Sequence, residues 1–288
     1  MTRLGVFLFW LLHFLPFRAL VWTGNALGLL LYSLAARRRR IATVNLALCF
    51  PGLSDAERTR LAREHFKMFA RGLVERSILW WSSAERINSL IRVEGLEHFD
   101  AVNGKPTILL VPHFVGIDVG GQWVALHTDG VSMYSNQKNR YLTELLLEKR
   151  ARFGEQRLYS RQQGLRSIVK EMLKGKFFFY LPDQDQGVKD GAFVPFFGVP
   201  AATITAVPRI ARMTGALVLP CITRLLPGAA AYVLTFYPPW ENYPTGDDLA
   251  DTRRVNEFIE QRVREMPEQY FWVHRRFKTR PEGEKKFY

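Results

Sequence analysis

A histidine directly after an apolar run, followed by a carboxylate, is the pattern in this chain with the clearest capacity for chemistry. The run from residue 107 to 111 is typical of a buried strand, and His113 and Asp118 follow it. On a regular helix this five-residue spacing would place the two side chains about 140° apart, because successive residues rotate by about 100°. They can meet only if His113 lies in the turn after the strand and Asp118 lies in the first turn of the next helix.

This arrangement predicts a general base that is oriented by a carboxylate. Asp118 would hold one ring N–H of His113, which leaves the other ring nitrogen free to take a proton from a hydroxyl. A histidine and an aspartate at this spacing also occur by chance in a chain with six histidines. The motif alone therefore leaves the alternative of a pair without catalytic function open.

A second predicted strand also ends on polar residues. The apolar run 177–181 is followed by Pro182, Asp183, Gln184 and Asp185. Ligands of open α/β sheets bind beyond the carboxyl ends of the strands, so His113 and Asp183 should face the same crevice. Two acidic residues are too few to predict a Mg²⁺ site. A polar turn is the other interpretation of this segment, and we predict no metal and no cofactor.

Several arginines could bind the phosphate groups of a substrate, because a guanidinium can contact phosphate through two hydrogen bonds. A run of charges is also typical of a solvated surface, so we expect only part of this set to bind substrate. The candidates are Arg150, Arg152, Arg161, Arg275 and Arg276.

The composition limits the class of partner. The chain has 288 residues with 40 Lys and Arg against 27 Asp and Glu, a net charge of +13, which attracts anionic partners. No recognisable nucleic-acid-binding motif occurs, so we predict no nucleic acid partner. The two cysteines lie far apart without C-x-x-C spacing, which argues against a disulfide framework or a zinc site.

From residue 105 onward, predicted strands alternate with helices. This alternation predicts an α/β fold with a mixed, mostly parallel sheet flanked by helices. The strand candidates are 107–111, 131–135, 177–181, 216–223 and 232–237. The helix candidates are 41–50, 54–81, 119–127, 141–153, 163–173, 204–213 and 252–266, of which the second begins with a capping box formed by Ser54 and Glu57.

The N-terminal 40 residues are predicted to form an uncleaved membrane anchor, followed by a catalytic domain over residues 41–288. Apolar stretches at 4–15 and 19–36 precede four arginines, at 37–40, which would keep the following domain in the cytoplasm. The apolar region is too long for a signal peptide, and no convincing cleavage site follows it. Pro16 weakens a straight span, so a single span and a bent interfacial hairpin both stay open.

One further apolar segment, 193–200, contains two prolines and a glycine. These residues argue against a regular helix or a central strand. The segment could line an apolar slot beside the site, or it could belong to the core.

Taken together, these motifs resemble those of the late acyltransferases of lipid A biosynthesis, the lauroyl/myristoyl transferase family of Gram-negative bacteria. This family lies within the HxxxxD/E acyltransferases, whose fold is similar to that of the glycerolipid acyltransferases. The resemblance extends over nearly the whole chain, and its most specific part is the closing block. The matching landmarks are Arg40 with Asn45, Leu46 and Pro51, then His113 with Asp118, then 182–185, 193–197 and the closing block 270–281.

The resemblance implies transfer of a fatty acyl chain from acyl carrier protein to a hydroxyl of a phosphorylated lipid A precursor, at the cytoplasmic face of the bacterial inner membrane. It implies that His113 is the general base and that Asp118 orients it. Many relatives have Glu at the second position, whereas Asp is common in the wider glycerolipid acyltransferase group. Asp183 matches a position important for activity, and Arg150 is the preferred arginine of its neighbourhood.

The sequence leaves two alternative functions open. An acyltransferase of the same fold could act on another lipid or glycolipid, with acyl-CoA as a possible donor. It would share the histidine motif but should lack the closing block. A non-catalytic protein that binds lipid through its basic patches is the second alternative.

Overall fold

A seven-stranded mixed sheet forms the centre of the fold. The computed structural model describes residues 2–135, 139–228 and 231–288. The sheet order is β1-β9-β8-β2-β5-β3-β4, with every neighbouring pair parallel except β8 and β9, so the predicted mostly parallel sheet is confirmed. The strands are β1 Ile91–Glu94, β2 Thr107–Leu110, β3 Gly130–Tyr134, β4 Gln156–Ser160, β5 Phe177–Tyr180, β6 Gly191–Phe196, β7 Val199–Ile204, β8 Leu217–Leu225 and β9 Tyr232–Phe236.

Helices flank this sheet, as the alternating pattern predicted. The long helix α4 begins at the predicted capping box, in which the Ser54 hydroxyl accepts from the Glu57 backbone N–H and the Glu57 carboxylate accepts from the Ser54 N–H. The helices are α1 Thr2–Leu11, α2 Phe17–Leu34, α3 Ala36–Cys49, α4 Asp55–Trp81, α5 Ala84–Ser89, α6 Leu96–Asp100, α7 Ile117–His127, α8 Arg140–Arg150, α9 Arg166–Met172, α10 Ala206–Thr214 and α11 Asp248–Glu265.

The apolar segment 193–200 belongs to a separate two-stranded hairpin formed by β6 and β7. Val194 and Phe196 are buried, Phe196 belongs to the main core, and neither lines the cavity described below, so the segment is core and not the wall of a slot. Pro195 and Pro200 face each other across the hairpin, where a missing N–H is tolerated because these strands are not central in a larger sheet.

The predicted N-terminal anchor is not confirmed as a spanning helix. Among the described residues, no single helix is both long and apolar enough to cross a bilayer, and only α2 and α3 taken together meet that test, with a 92° bend between them. A short 3-10 turn, Leu12–Phe14, separates α1 from α2. The predicted domain boundary after residue 40 falls inside α3, and that division stays a prediction.

One face of α2 packs closely against α4. A Cβ atom added at Gly24 would lie 2.7 Å from the Arg71 Cα, and one added at Gly28 would lie 2.5 Å from the Lys67 Cα. Only glycine at these two positions permits this backbone approach, because real Cβ contacts are longer. Other faces of α1 and α2 leave large apolar side chains exposed, namely those of Leu4, Phe7, Leu8, Leu11, Trp22, Leu29, Leu30 and Leu34.

Candidate active site

The carboxyl ends of two neighbouring strands, β2 and β5, bring His113 and Asp183 together. The strands are parallel, and their pairing continues past β2 with a hydrogen bond of 2.9 Å from the Val111 N–H to the Tyr180 carbonyl. His113 and Asp183 each follow three residues after the end of their strand, so they face the same crevice, as predicted.

Asp183 holds His113 at two points. The Asp183 Oδ1 atom lies 2.7 Å from the ring Nδ1, and Oδ2 accepts the His113 backbone N–H at 3.0 Å. Asp183 is 2% exposed. Burial alone would raise the pKa of Asp183, but the charge and hydrogen bonds of His113, with the nearby Arg276 charge, keep that pKa below its ordinary value. The ionised carboxylate only accepts, so Nδ1 carries the ring proton.

The expectation that Asp118 holds the ring of His113 is wrong for this structure, because Asp183 occupies that place. Asp118 instead forms an ion pair with Arg76 of α4, and its Oδ1 atom lies 3.9 Å from Nη2 of Arg150 of α8. Burial would raise the pKa of Asp118, but the two guanidinium charges lower it below its ordinary value. The aspartate that follows His113 by five residues thus holds the guanidinium groups of Arg76 and Arg150 beside the histidine.

The other ring nitrogen of His113 contacts Gln184. The Gln184 Nε2 atom lies 3.0 Å from the His113 Nε2 atom. Because Nδ1 carries the proton, Nε2 has a lone pair and the amide must present its N–H to it. Phe271 packs on the imidazole at 6.0 Å between ring centroids, with an angle of 27° between the rings.

The closing block 270–281 positions the site from the opposite side. The Phe271 N–H donates to the His113 carbonyl at 3.0 Å, and the Val115 N–H donates to the Gln269 carbonyl at 2.9 Å. Through these two bonds the block and Gln269, the residue before it, are tied directly to the turn that carries His113.

Asp185 anchors the same block and does not point toward a metal site. Its carboxylate accepts the Thr279 backbone N–H at 2.6 Å and the Thr279 hydroxyl at 2.8 Å, and its own N–H donates to Nε2 of His274 at 3.2 Å. Burial lowers the pKa of His274 to about 4, which keeps this ring neutral and able to accept.

A cavity of about 360 Å³ opens beside His113 and extends between the sheet and helices α4, α7 and α8. The end of the cavity at the carboxyl ends of the strands, here called its mouth, is lined by His113, Asp118, Arg76 and Arg150. The opposite end, at the first residues of β3, β4 and β5, is lined by Gly130, Gln156 and Phe177. The span from residue 118 to 125 of α7 corresponds to about 10 Å at 1.5 Å per residue. Further lining side chains include Phe69, Leu73, Leu79, Trp80, Gln122, Ser132, Leu158, Phe179 and Leu181.

Of the five arginines predicted to bind substrate, only Arg150 lines the cavity. Arg152 instead caps the end of α4, with bonds of 2.9 Å to the Leu79 carbonyl and 2.6 Å to the Ser82 carbonyl. Arg276 is 2% exposed and donates to the Ala202 carbonyl at 2.8 Å, so it belongs to the core and cannot reach a substrate.

Arg161 and Arg275 lie outside the cavity lining. The Arg161 guanidinium donates to the Gln186 side chain at 2.9 Å, and the Arg275 guanidinium lies 5.9 Å from the centroid of the Tyr288 ring. Their predicted substrate contacts stay predictions.

Sequence reasoning missed Arg76 and Gln184. Arg76 had a usable signal, because it follows Phe69 by seven residues and Leu73 by three and so shares their apolar face of α4. A charged residue on such a face needs a partner, here Asp118. Gln184 had no comparable signal, because a glutamine between two aspartates reads only as part of a polar turn.

Known proteins are similar to this chain over most of its length. Residues 1–279 match the sequence profile described as "Bacterial lipid A biosynthesis acyltransferase". The chain is 35% identical to the lipid A biosynthesis lauroyltransferase of Escherichia coli (strain K12), covering 98% of this chain and 93% of the relative. It is 32% identical to the palmitoleoyltransferase of that organism, covering 100% and 94%. For the myristoyltransferase the identity is 32%, covering 85% and 77%.

The two neighbouring arginines of α8 and its following turn should differ in their effect on stability. Arg152→Ala should lower the free energy of unfolding by about 1.5–3 kcal/mol, because two carbonyls at the end of α4 lose a charged donor. Arg150→Ala should cost less than about 1 kcal/mol, because its ion pair is long and partly exposed. Thermal unfolding of both variants checks this, and equal losses would contradict the assignment of Arg152 to a capping role.

Proposed function

Because the chain belongs to the bacterial lipid A biosynthesis acyltransferase family, we propose that it transfers a fatty acyl chain from acyl carrier protein to a hydroxyl of a lipid A precursor by general-base catalysis. The observation that carries the mechanism is the pair formed by His113 and Asp183 at the mouth of the cavity.

His113 would act through Nε2. The acceptor hydroxyl gives its proton to Nε2 while its oxygen attacks the carbonyl carbon of the thioester. The resulting imidazolium is stabilised by the Asp183 carboxylate at Nδ1. When the tetrahedral intermediate collapses, the carbon–sulfur bond breaks and the imidazolium returns the proton to the departing thiolate. No acyl-enzyme forms in this sequence of steps.

Arg76 and Arg150 would stabilise the negative charge that develops on the thioester oxygen. Both line the mouth of the cavity, and Asp118 holds them there. Guanidinium groups are cationic hydrogen-bond donors, and donors that are held in place before the oxyanion forms stabilise it. The acyl chain would extend along α7 toward Phe177 at the far end of the cavity.

The protein would act at the cytoplasmic face of the bacterial inner membrane. The exposed apolar side chains of α1 and α2 form a surface that could insert into the acyl region of one leaflet. Soluble proteins rarely expose apolar patches of this kind unless the patch binds a membrane or a partner. The arginines at 37–40 lie at the start of α3, two alanines after the end of α2, and would contact anionic headgroups. The net charge of +13 suits both an acidic carrier protein and a phosphorylated acceptor.

The reaction is tested by mass spectrometry of the products that the membrane-bound protein forms from a lipid A precursor and a mixture of acyl carrier proteins. We expect one added acyl chain, and a loss of about 10²–10⁴-fold in rate for His113→Ala, the usual contribution of a general base. Activity of that variant within about tenfold of wild type would contradict the mechanism. Lack of any addition by the wild-type protein would favour a different lipid acceptor.

The two carboxylates of the site should have different effects on the pH dependence of the rate. Asp183→Asn should lower kcat by about 10²–10⁴-fold and move the acid limb of the pH–rate profile to lower pH, because the imidazolium loses its carboxylate. Asp118→Asn should move that limb less, because two guanidinium groups already balance the Asp118 charge. The reverse order of the two shifts would assign the orienting role to Asp118.

Membrane binding should depend on the exposed face of α2. The double variant Leu30→Asp, Leu34→Asp should reduce cosedimentation with anionic phospholipid vesicles by at least about tenfold, because two exposed leucine side chains that would insert into the bilayer are replaced by charges. The matched control is Leu173→Asp, Leu249→Asp, since all four side chains are between 53% and 71% exposed. Equal loss in both double variants would exclude a specific membrane-binding face.

A further inference from the structure

The Gln184 side chain is hydrogen-bonded to Nε2 of His113, the nitrogen that the acceptor hydroxyl must reach. Nδ1 of His113 is hydrogen-bonded to Asp183, and Phe271 packs against the ring. Nε2 is therefore the atom left to act as a base, and the Gln184 amide lies 3.0 Å from it. A hydroxyl that binds to Nε2 must first displace the amide.

The local structure allows this displacement without movement of the main chain. Asp183 before it is fixed by two bonds to His113, and Asp185 after it is fixed by Thr279 and His274. The backbone at residue 184 is thus held on both sides. Because Gln184 is only partly buried, rotation of its side chain would release Nε2, and side-chain rotations of this kind are far faster than a typical enzymatic turnover.

We propose that Gln184 is a positioning residue that holds the catalytic base ready and competes with the acceptor hydroxyl for it. Consecutive residues, Asp183 and Gln184, bind the imidazole at its two nitrogens and so fix both its plane and its tautomer. The amide then leaves Nε2 when the acceptor binds and returns when the product departs. This inference rests on the proposed function, because it assumes that Nε2 takes the acceptor proton.

The charge of residue 184 provides the first test. In Gln184→Glu a carboxylate would face Nε2, and an opposite charge at this distance favours the protonated imidazole. The acid limb of the pH–rate profile should then move up by about 1–3 pH units. The matched control is Gln186→Glu, which makes the same charge change two residues away on a side chain that contacts Arg161. The acid limb of the Gln186→Glu profile should stay at the wild-type pH.

The competition is tested by Gln184→Met, which keeps an unbranched side chain but removes the amide donor. The KM for the lipid acceptor should fall several-fold, because no internal group has to be displaced, while the KM for the acyl carrier protein stays the same. The kcat should also fall, because the ring is no longer held at both nitrogens. Thermal unfolding of the variant serves as the control for folding.

Two results would overturn the inference. One is a pH–rate profile of Gln184→Glu that coincides with that of wild type, and the other is a Gln184→Met variant whose KM values for acceptor and donor change alike. If either occurs while His113→Ala still loses activity, the proposed function stands and only the role of Gln184 fails. Full activity of His113→Ala would instead overturn both.

Discussion

The hydrogen bond between His113 and Asp183 is the interaction on which the rest of the site depends. It joins residues 70 positions apart in the chain, so it exists only if β2 and β5 are adjacent and parallel. The buried carboxylate sets the tautomer of the ring, and the tautomer decides that Nε2 is the basic atom. The sheet topology therefore determines the chemistry through a single contact.

The closing block and the helix before α4 together hold this contact in place. Asn45 of α3 donates to the carbonyls of Trp272 and His274, both at 2.7 Å, and Trp272 is fully buried. Through Phe271 the same block packs on the imidazole. Two segments that lie at opposite ends of the sequence thus form one structural unit around the histidine.

The mostly parallel sheet, the long helix α4 and the crevice shared by His113 and Asp183 could all be predicted from apolar runs, a capping box and strand ends. Strand β4 was missed because Gln156–Ser160 is not an apolar run. The partner of His113 was misassigned because a local spacing favours Asp118, whereas the bond to Asp183 depends on the pairing of distant strands. The arginines at 152 and 276 were misassigned for a related reason, since a guanidinium that caps a helix or binds core carbonyls looks in sequence like one that binds phosphate.

The ring tautomer of His113 is the most direct test of this account. Nitrogen NMR of protein labelled with ¹⁵N-histidine, with His113 assigned from the His113→Ala spectrum, distinguishes a protonated Nδ1 from a protonated Nε2. We predict the Nδ1–H form for the neutral ring in wild type and in Asp118→Asn, and its loss in Asp183→Asn. An Nε2–H form in wild type, or a tautomer that changes with Asp118→Asn and not with Asp183→Asn, would contradict the account.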